Sequence, residues 1–593
     1  MGKEILKRCG QRVLAAIGAG CVLFACFSQE VRAQSVSPAM GGASVEELQR
    51  GVNPRRVGGI SSEGAVTVPS ISEENPVDEK DKRTIYIKGF RLVGQTVFDE
   101  ATLLGIAKAS PGQYTFGQLE KMARAITTYY RDRGYLVGQA VIPAQKSKDG
   151  VIEIRIVEGR LESEASITAQ DEDVQKAIRA IYHEVVCAKV ESDPQASRCE
   201  GVVATDRLVE RIVLLAREQT GMKVFGSLSP GTQQGYTHLS LNALYGKKIV
   251  GEASFDNSGS SSTGKQHLQG HMVVNSLFAV GDSLDLLLGT SNKPSSYKFF
   301  QADYSLPVGA KGWRVGLNLG QTEYYLGSGF SALGANGVSR SVGSYAKYPL
   351  LLSSNARTDL TFSAKVGQLK DNNLAFSNPR LYWQTSADLA GRFEDTSLGT
   401  PAITLWGAHL DRGGVRITDS NQQAVDSATY QTAGSFDRLS LRGSREQGLG
   451  GRWSAYFSGT GTAGDKNMDS YFKFGLGGPY GVRAYPSGEA SGDQGVLGTF
   501  ELRYAADPFD IFSHSITTRV AAFYDRGWVK INASPLAGTR INSYVRAGAG
   551  VQLEVTDADR MGLRIFWATP VGTGPSTSDG ASSRVGILTN LVF

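Results

Sequence analysis

Residues 245–593 alternate apolar and polar positions, segment after segment, between polar turns rich in glycine. In WRVGLNLG, Trp313, Val315, Leu317 and Leu319 fall on one face and Arg314, Gly316 and Asn318 on the other. A period of two is that of a strand whose two faces meet different surroundings. YVRAGAGVQLEV repeats it with Val545, Ala547, Ala549, Val551 and Leu553, and MGLRIFWATP with Met561, Leu563, Ile565 and Trp567. The final RVGILTNLVF keeps Val585, Ile587, Leu591 and Phe593 in phase, with Thr589 between. Roughly 350 residues of this pattern, at about ten per strand plus turns, predict a membrane β-barrel of about 16 antiparallel strands. Lipid cannot satisfy backbone hydrogen bonds, so such a sheet must close on itself. A soluble β-sandwich or β-helix is the competing reading. It fits less well with an aromatic C-terminal strand and the leader described below.

Upstream the texture changes. Between 83 and 160, TIYIKGFRLVG alternates like a strand, LEKMARAITTYYRDRGY carries apolar residues at helical spacing and stops at Gly134, and GQAVIPAQ and VIEIRIVEG alternate again. The order strand, helical region, strand, strand predicts a compact α+β module. Residues 161–243 repeat that grammar, with helices in DVQKAIRAIYHEVV and ATDRLVERIVLLAREQ and a closing hairpin of KVFGSLSPG and YTHLSLNALYG. In 34–82 only ASVEELQRGV, at 43–52, has helical spacing, with Ser44 placed as an N-cap beside Glu47. The reading there is a short helix followed by a flexible linker, or a segment with no regular structure at all.

Composition fixes the address. Lys3, Lys7, Arg8 and Arg12, then an apolar run from 13 to 27, then Val31-Arg32-Ala33, make a secretory signal over 1–33. A lipid anchor at Cys26 is the weaker alternative. The chain has 71 glycines in 593 residues and 41% hydrophobic residues, and its mean hydropathy is −0.19, too polar for a bundle of spanning helices. Removing 1–33 lowers the formal charge from +5 to +2, which gives no nucleic-acid signal. Of five cysteines only Cys187 and Cys199 lie beyond the signal. In an oxidising compartment they read as one local disulfide or as a pair of buried free thiols. Histidines are scattered, so no metal site or cofactor is expected. No G-x-S-x-G elbow stands out, and DRGG at 411–414 and GDKNMD at 464–469 read as turns, so an enzyme is not expected. No phosphate-binding loop is present either.

One stretch does not fit an ordinary loop. GLGGPYGVRAYPSGEASGDQG, at 475–495, sets a single arginine among glycines between strand-like sequences. In RVAAFYDRGWV, Val520, Ala522 and Tyr524 take the lipid face, which turns Arg519, Phe523 and Asp525 inward. In TFELRYA, Glu501 and Arg503 turn inward likewise. The pattern predicts that 475–495 folds into the lumen and that Arg483 pairs with Asp525, with Glu501 as alternative acceptor. The planar guanidinium suits a bidentate carboxylate contact. An extracellular loop carrying a solvated arginine is the other reading.

With these residues assembled, the chain resembles the outer-membrane transporters of two-partner secretion, the haemolysin and filamentous-adhesin exporters of the superfamily that joins POTRA modules to a barrel. The resemblance runs through IKGFRLVGQTVF, YYRDRGYLVGQAVIPAQ, DGVIEIRIVEGRL, LSPG and FDNSGSSSTGKQ. Val482-Arg483-Ala484-Tyr485 resembles the family's VRGY loop motif, and Phe523, Asp525 and Gly527 in FYDRGW its F-x-D strand motif. Ala484 departs from the motif's usual glycine, and a β-carbon there disfavours a positive φ. The resemblance implies domains at 1–33 (signal), 34–82 (plug helix and linker), 83–160 and 161–243 (POTRA modules) and 244–593 (barrel with lumenal loop 475–495). It implies a monomer, placed in outer-membrane lipid by the barrel assembly machinery, that exports one large adhesin- or haemolysin-type partner without ATP. The partner's N-terminal secretion domain would be recognised by the modules in extended form. An assembly factor for other barrels is the alternative it leaves open.

Overall fold

The computed structural model describes residues 66–67, 83–145, 149–187, 201–511, 514–557, 560–572 and 577–593. The signal at 1–33, the helix expected at 43–52 and Cys199 lie outside the described residues.

Sixteen antiparallel strands, from Ile249–Asp256 to Arg584–Val592, close into one barrel. A short piece, Phe509–Ile511, continues the wall alongside His514–Lys530. The period-two faces fall as the alternation requires: Val315, Leu317 and Leu319 are exposed to the membrane side, and the polar positions between them face the lumen. Closure joins the first strand to the last, from Glu252 opposite Val592 to Asp256 opposite Leu588. Asn257 extends the seam with its side chain, donating to the Val585 carbonyl at 3.0 Å and accepting from the Ile587 amide at 2.8 Å. That gives the FDNSG stretch a physical role at the strand end. The seam strands have 8 and 9 residues, whereas Ser377–Asp395 on the far wall has 19.

Both upstream modules are α+β units with their own cores. In the first, the strand read from TIYIKGFRLVG is two strands, Thr84–Ile87 and Gly89–Val93, pairing respectively with Gly112–Thr115 and Val151–Val157. A helix, Glu100–Ala107, stands where none was expected. It is only two turns long, too short to show a period, and it is held by Asp99, whose side chain accepts from the Thr102 amide at 2.7 Å. The main helix, Phe116–Arg131, starts with a full capping box of Thr115 and Gln118 and buries Leu119, Met122, Ile126 and Tyr130. In the second module, helices Glu172–Cys187 and Asp206–Thr220 cover a sheet built on the hairpin Lys223–Pro230 and Tyr236–Leu244. Two residues of the segment read as linker, Val66 and Thr67, add a parallel strand to the edge of that sheet opposite Gly226 and Ser227.

The second module is fastened to one rim of the barrel, which is thereby the periplasmic one. Arg314 donates to the carbonyls of Glu218 and Gly281 at 2.8 and 2.9 Å, and Arg357 binds the Glu218 carboxylate and, at 2.7 Å, Asp359. Gly281 has φ +74, and a β-carbon there would lie 1.8 Å from the Gln219 carbonyl, so the close approach requires glycine.

Candidate functional site: a loop folded into the lumen

After the strand Trp453–Gly464 the chain turns inward instead of returning directly. Phe474–Gly475 and Ser491–Gly492 pair as a short antiparallel ladder, and the residues between fold into a compact tip. Within it the Val482 amide donates to the Leu476 carbonyl at 2.7 Å and the Gly478 amide to the Tyr485 carbonyl at 3.0 Å. Such packing leaves no room for a side chain at Gly477, where a β-carbon would lie 1.8 Å from the Pro486 carbonyl. Leu476, Val482, Ala484 and Tyr485 are all at most 1% exposed. They form one apolar cluster with Phe523, Val529, Phe566 and Ala568 of the wall.

At the tip stands Arg483. Its Nε and Nη2 donate to the two oxygens of Asp525 at 2.9 and 2.8 Å, and its Nη1 donates to Glu501 at 2.8 Å and to Gln552 at 3.0 Å. Its backbone amide also donates to Asp525, at 3.1 Å. The guanidinium lies 3.4 Å from the centroid of the Phe523 ring. Thr499 donates to Asp525 at 2.9 Å, and Arg503 donates to the second oxygen of Glu501 at 2.8 Å while reaching Glu446. Asp525 is 0% exposed, Glu501 4% and Arg483 5%. Charges this dry are stable only when every one is paired, and the network does so.

The residues read from the sequence thus meet in space, and Asp525 and Glu501 bind Arg483 together, not as alternatives. Gly527 faces the tip: a β-carbon there would lie 2.4 Å from Leu476. Ala484 adopts no positive φ, so the glycine of the motif is not needed for backbone geometry. The space for its methyl comes from the wall, where a β-carbon at Gly548 would lie 2.6 Å from that of Ala484. Sequence reasoning missed Gln552 and Gly548. Their signal was present, since Gln552 is the inward polar residue between Val551 and Leu553 in a strand already read, and YVRAGAGVQ has glycines at two inward positions.

Two readings need correction. DRGG is not a turn: it lies within the strand Ala402–Ile417, because Gly413 and Gly414 make room for the rings of Phe436 and Trp383 on the neighbouring strands. Asp411 points into the lumen and accepts from Ser386, His409 and Arg438 at 2.7, 2.7 and 2.8 Å. Nor is GDKNMD merely a turn. It starts the inward path, with Asp469 accepting from Arg380 at 2.5 Å, while Arg438 donates to the Phe472 carbonyl at 2.9 Å. The loop is therefore anchored at two places, on the far wall near its start and on the near wall at its tip.

Comparison with known proteins gives two family matches: a POTRA domain of the ShlB type over residues 85–159, and the haemolysin secretion/activation protein ShlB/FhaC/HecB over residues 235–555, more than half of the chain. A heme/hemopexin transporter protein, HuxB, of Haemophilus influenzae is 26% identical over 471 residues, 79% of this chain and 80% of that one. The outer membrane transporter CdiB of Dickeya dadantii is 27% identical over 210 residues, 35% of this chain and 34% of that one. Among solved structures, CdiB from Escherichia coli superposes with a TM-score of 0.69 at 19% identity, covering 94% of this chain and all of that one. CdiB from Acinetobacter baumannii gives 0.59 at 16%, covering 94% and 98%. At those identities the structural likeness speaks for the fold.

Proposed function

Because the chain belongs to the haemolysin secretion/activation protein family, with its barrel in the outer membrane and its POTRA modules in the periplasm, we propose that it exports one large partner protein to the cell exterior. The observation that carries this is a closed barrel with a loop folded into its lumen and held to the wall by Arg483, above a module fastened at the periplasmic mouth. A static pore needs neither part. The partner, of adhesin or haemolysin type, presents an N-terminal secretion domain in extended form, and a module's strand edge accepts it by β-augmentation. The pairing of Val66–Thr67 with Lys223–Pro230 supports such an edge being able to take up an added strand. Export proceeds without ATP, drawing on folding of the partner outside. The barrel works as a monomer, is inserted by the barrel assembly machinery, and has a transport rather than an enzymatic role.

The test compares proteins of the culture medium and periplasm in cells with and without this gene, by mass spectrometry. Loss of one large polypeptide from the medium, with other outer-membrane barrels unchanged, is the expected result. A general fall in barrel proteins would instead mean an assembly factor.

A further inference from the structure

The outward face of the barrel carries a feature that export does not use. At the end of the apolar band far from the modules, the register sets Gln321, Arg340, Gln368, Leu381 and Arg416 side by side across five adjacent strands. Trp313, packed on Tyr348 with ring centroids 4.9 Å apart, marks the periplasmic edge of the same band. Eight residues of tilted strand from Trp313 to Gln321 put this row about 20 Å above it, at the level of the outer-leaflet headgroups.

Arg340 and Arg416 flank a groove of about 790 Å³. They stand three strand spacings apart, about 14 Å. Directly below them, toward the membrane centre, the next outward row is apolar or small: Val342, Val366, Trp383 and Gly414. The Trp383 indole lies over Gly414, where a β-carbon would be 2.6 Å from its Nε1, so the floor is a shallow aromatic shelf. Lys370 faces outward one row farther from the membrane. Nearby outward acids are already engaged, Glu323 with Lys298 at 2.7 Å and Asp437 loosely with Arg412 at 3.9 Å. Arg340, whose Nε donates to the Gln321 amide oxygen at 3.1 Å, stands near the Glu323 carboxylate without touching it, and among the described residues no carboxylate is in ion-pair contact with Arg340, Arg416 or Lys370.

We propose that this groove binds lipopolysaccharide of the outer leaflet, with the phosphates of its lipid A held by Arg340 and Arg416 and an acyl chain on the Trp383–Gly414 shelf. Cations at headgroup height on a lipid-facing wall, with no carboxylate in contact, attract anionic lipid. Two guanidinium groups, in place of flexible ammonium groups, favour phosphate recognised in a bidentate manner. A ligand with phosphate above and hydrocarbon below matches the polarity of the groove from top to bottom.

The experiment uses the full chain, purified in detergent and stripped of lipid, titrated with lipid A and read by native mass spectrometry. Heat-modifiable migration on gels checks that each barrel is folded. The native protein should retain lipid A, and Arg340→Ala/Arg416→Ala should weaken retention tenfold or more while remaining folded. Dephosphorylated lipid A should bind both proteins equally weakly. If the folded double variant binds lipid A as tightly as the native protein, or phosphatidylglycerol displaces lipid A at equal concentration, the site is not a lipopolysaccharide site. If the double variant does not fold, Arg416→Gln alone, at the outer end of its strand, carries the comparison by the same criteria.

Discussion

Arg483 makes four side-chain hydrogen bonds to three wall residues in a dry site, so replacing it does more than remove one contact. Arg483→Ala leaves Asp525 and Glu501 buried with too few donors, and breaking a buried pair from one side costs about 3–5 kcal/mol. Urea unfolding of the variant barrel should show the loop released well before the wall. Arg483→Lys keeps the charge but not the fork to Asp525 or the planar contact with Phe523, and it should recover only a minor part of that loss. A separate prediction concerns shape. Gly548→Ala places a methyl 2.6 Å from the Ala484 β-carbon, an overpacking of about 1–3 kcal/mol. Ala484→Gly in the same chain should restore stability, and a double-mutant cycle measures the coupling. Additive effects at these two positions would mean that the methyls do not compete for one space.

Among the elements, the closing hairpin of the second module carries a pH response. The Glu162 carboxyl is held down at about 2 by the amide and hydroxyl of Thr232 and by His238, 2.6 Å away. A carboxylate depressed in the folded state stabilises fully above its unfolded value near 4.5 and loses that contribution as pH falls from there toward 2. Thermal unfolding of this module, followed in the full chain, should therefore weaken over that window, and Glu162→Gln should flatten the dependence. The elements also show what a sequence can disclose. Strands with one face in lipid declare themselves, as Trp313 to Leu319 do, because the environment on that face is uniform. The helix Glu100–Ala107 stayed hidden because eight residues hold barely two turns, and DRGG was misread because glycines that normally mark turns here admit the Phe436 and Trp383 rings inside a sheet. At the site, Arg483, Asp525 and Glu501 were legible from parity and charge. The inward parity of Gln552 and Gly548 was legible too, but not their contacts with the loop, nor the Arg380–Asp469 anchor, since these depend on which strands the loop meets once it has turned inward.

The whole molecule joins four parts: two modules, a closed wall and a loop folded into its lumen. The junction between module and wall rests on Arg314 and Arg357 around the end of the helix Asp206–Thr220. Glu218→Ala should accelerate hydrogen exchange of that helix's last turn about tenfold, since a partly buried charged contact is worth of order 1.5 kcal/mol, with barrel amides unchanged. Equal exchange in the two proteins would place the fastening elsewhere. The central claim is that the lumenal loop, held by Arg483, is part of the export machinery and not merely a stabiliser of the wall. Its most direct test is the amount of the partner protein in medium and periplasm for cells carrying native chain, Arg483→Ala or Asp525→Ala, with heat-modifiable migration showing equal amounts of folded barrel in the membrane. Export should fall tenfold or more in both variants while the barrel remains folded. Export at the native level from equally folded variants would contradict that claim.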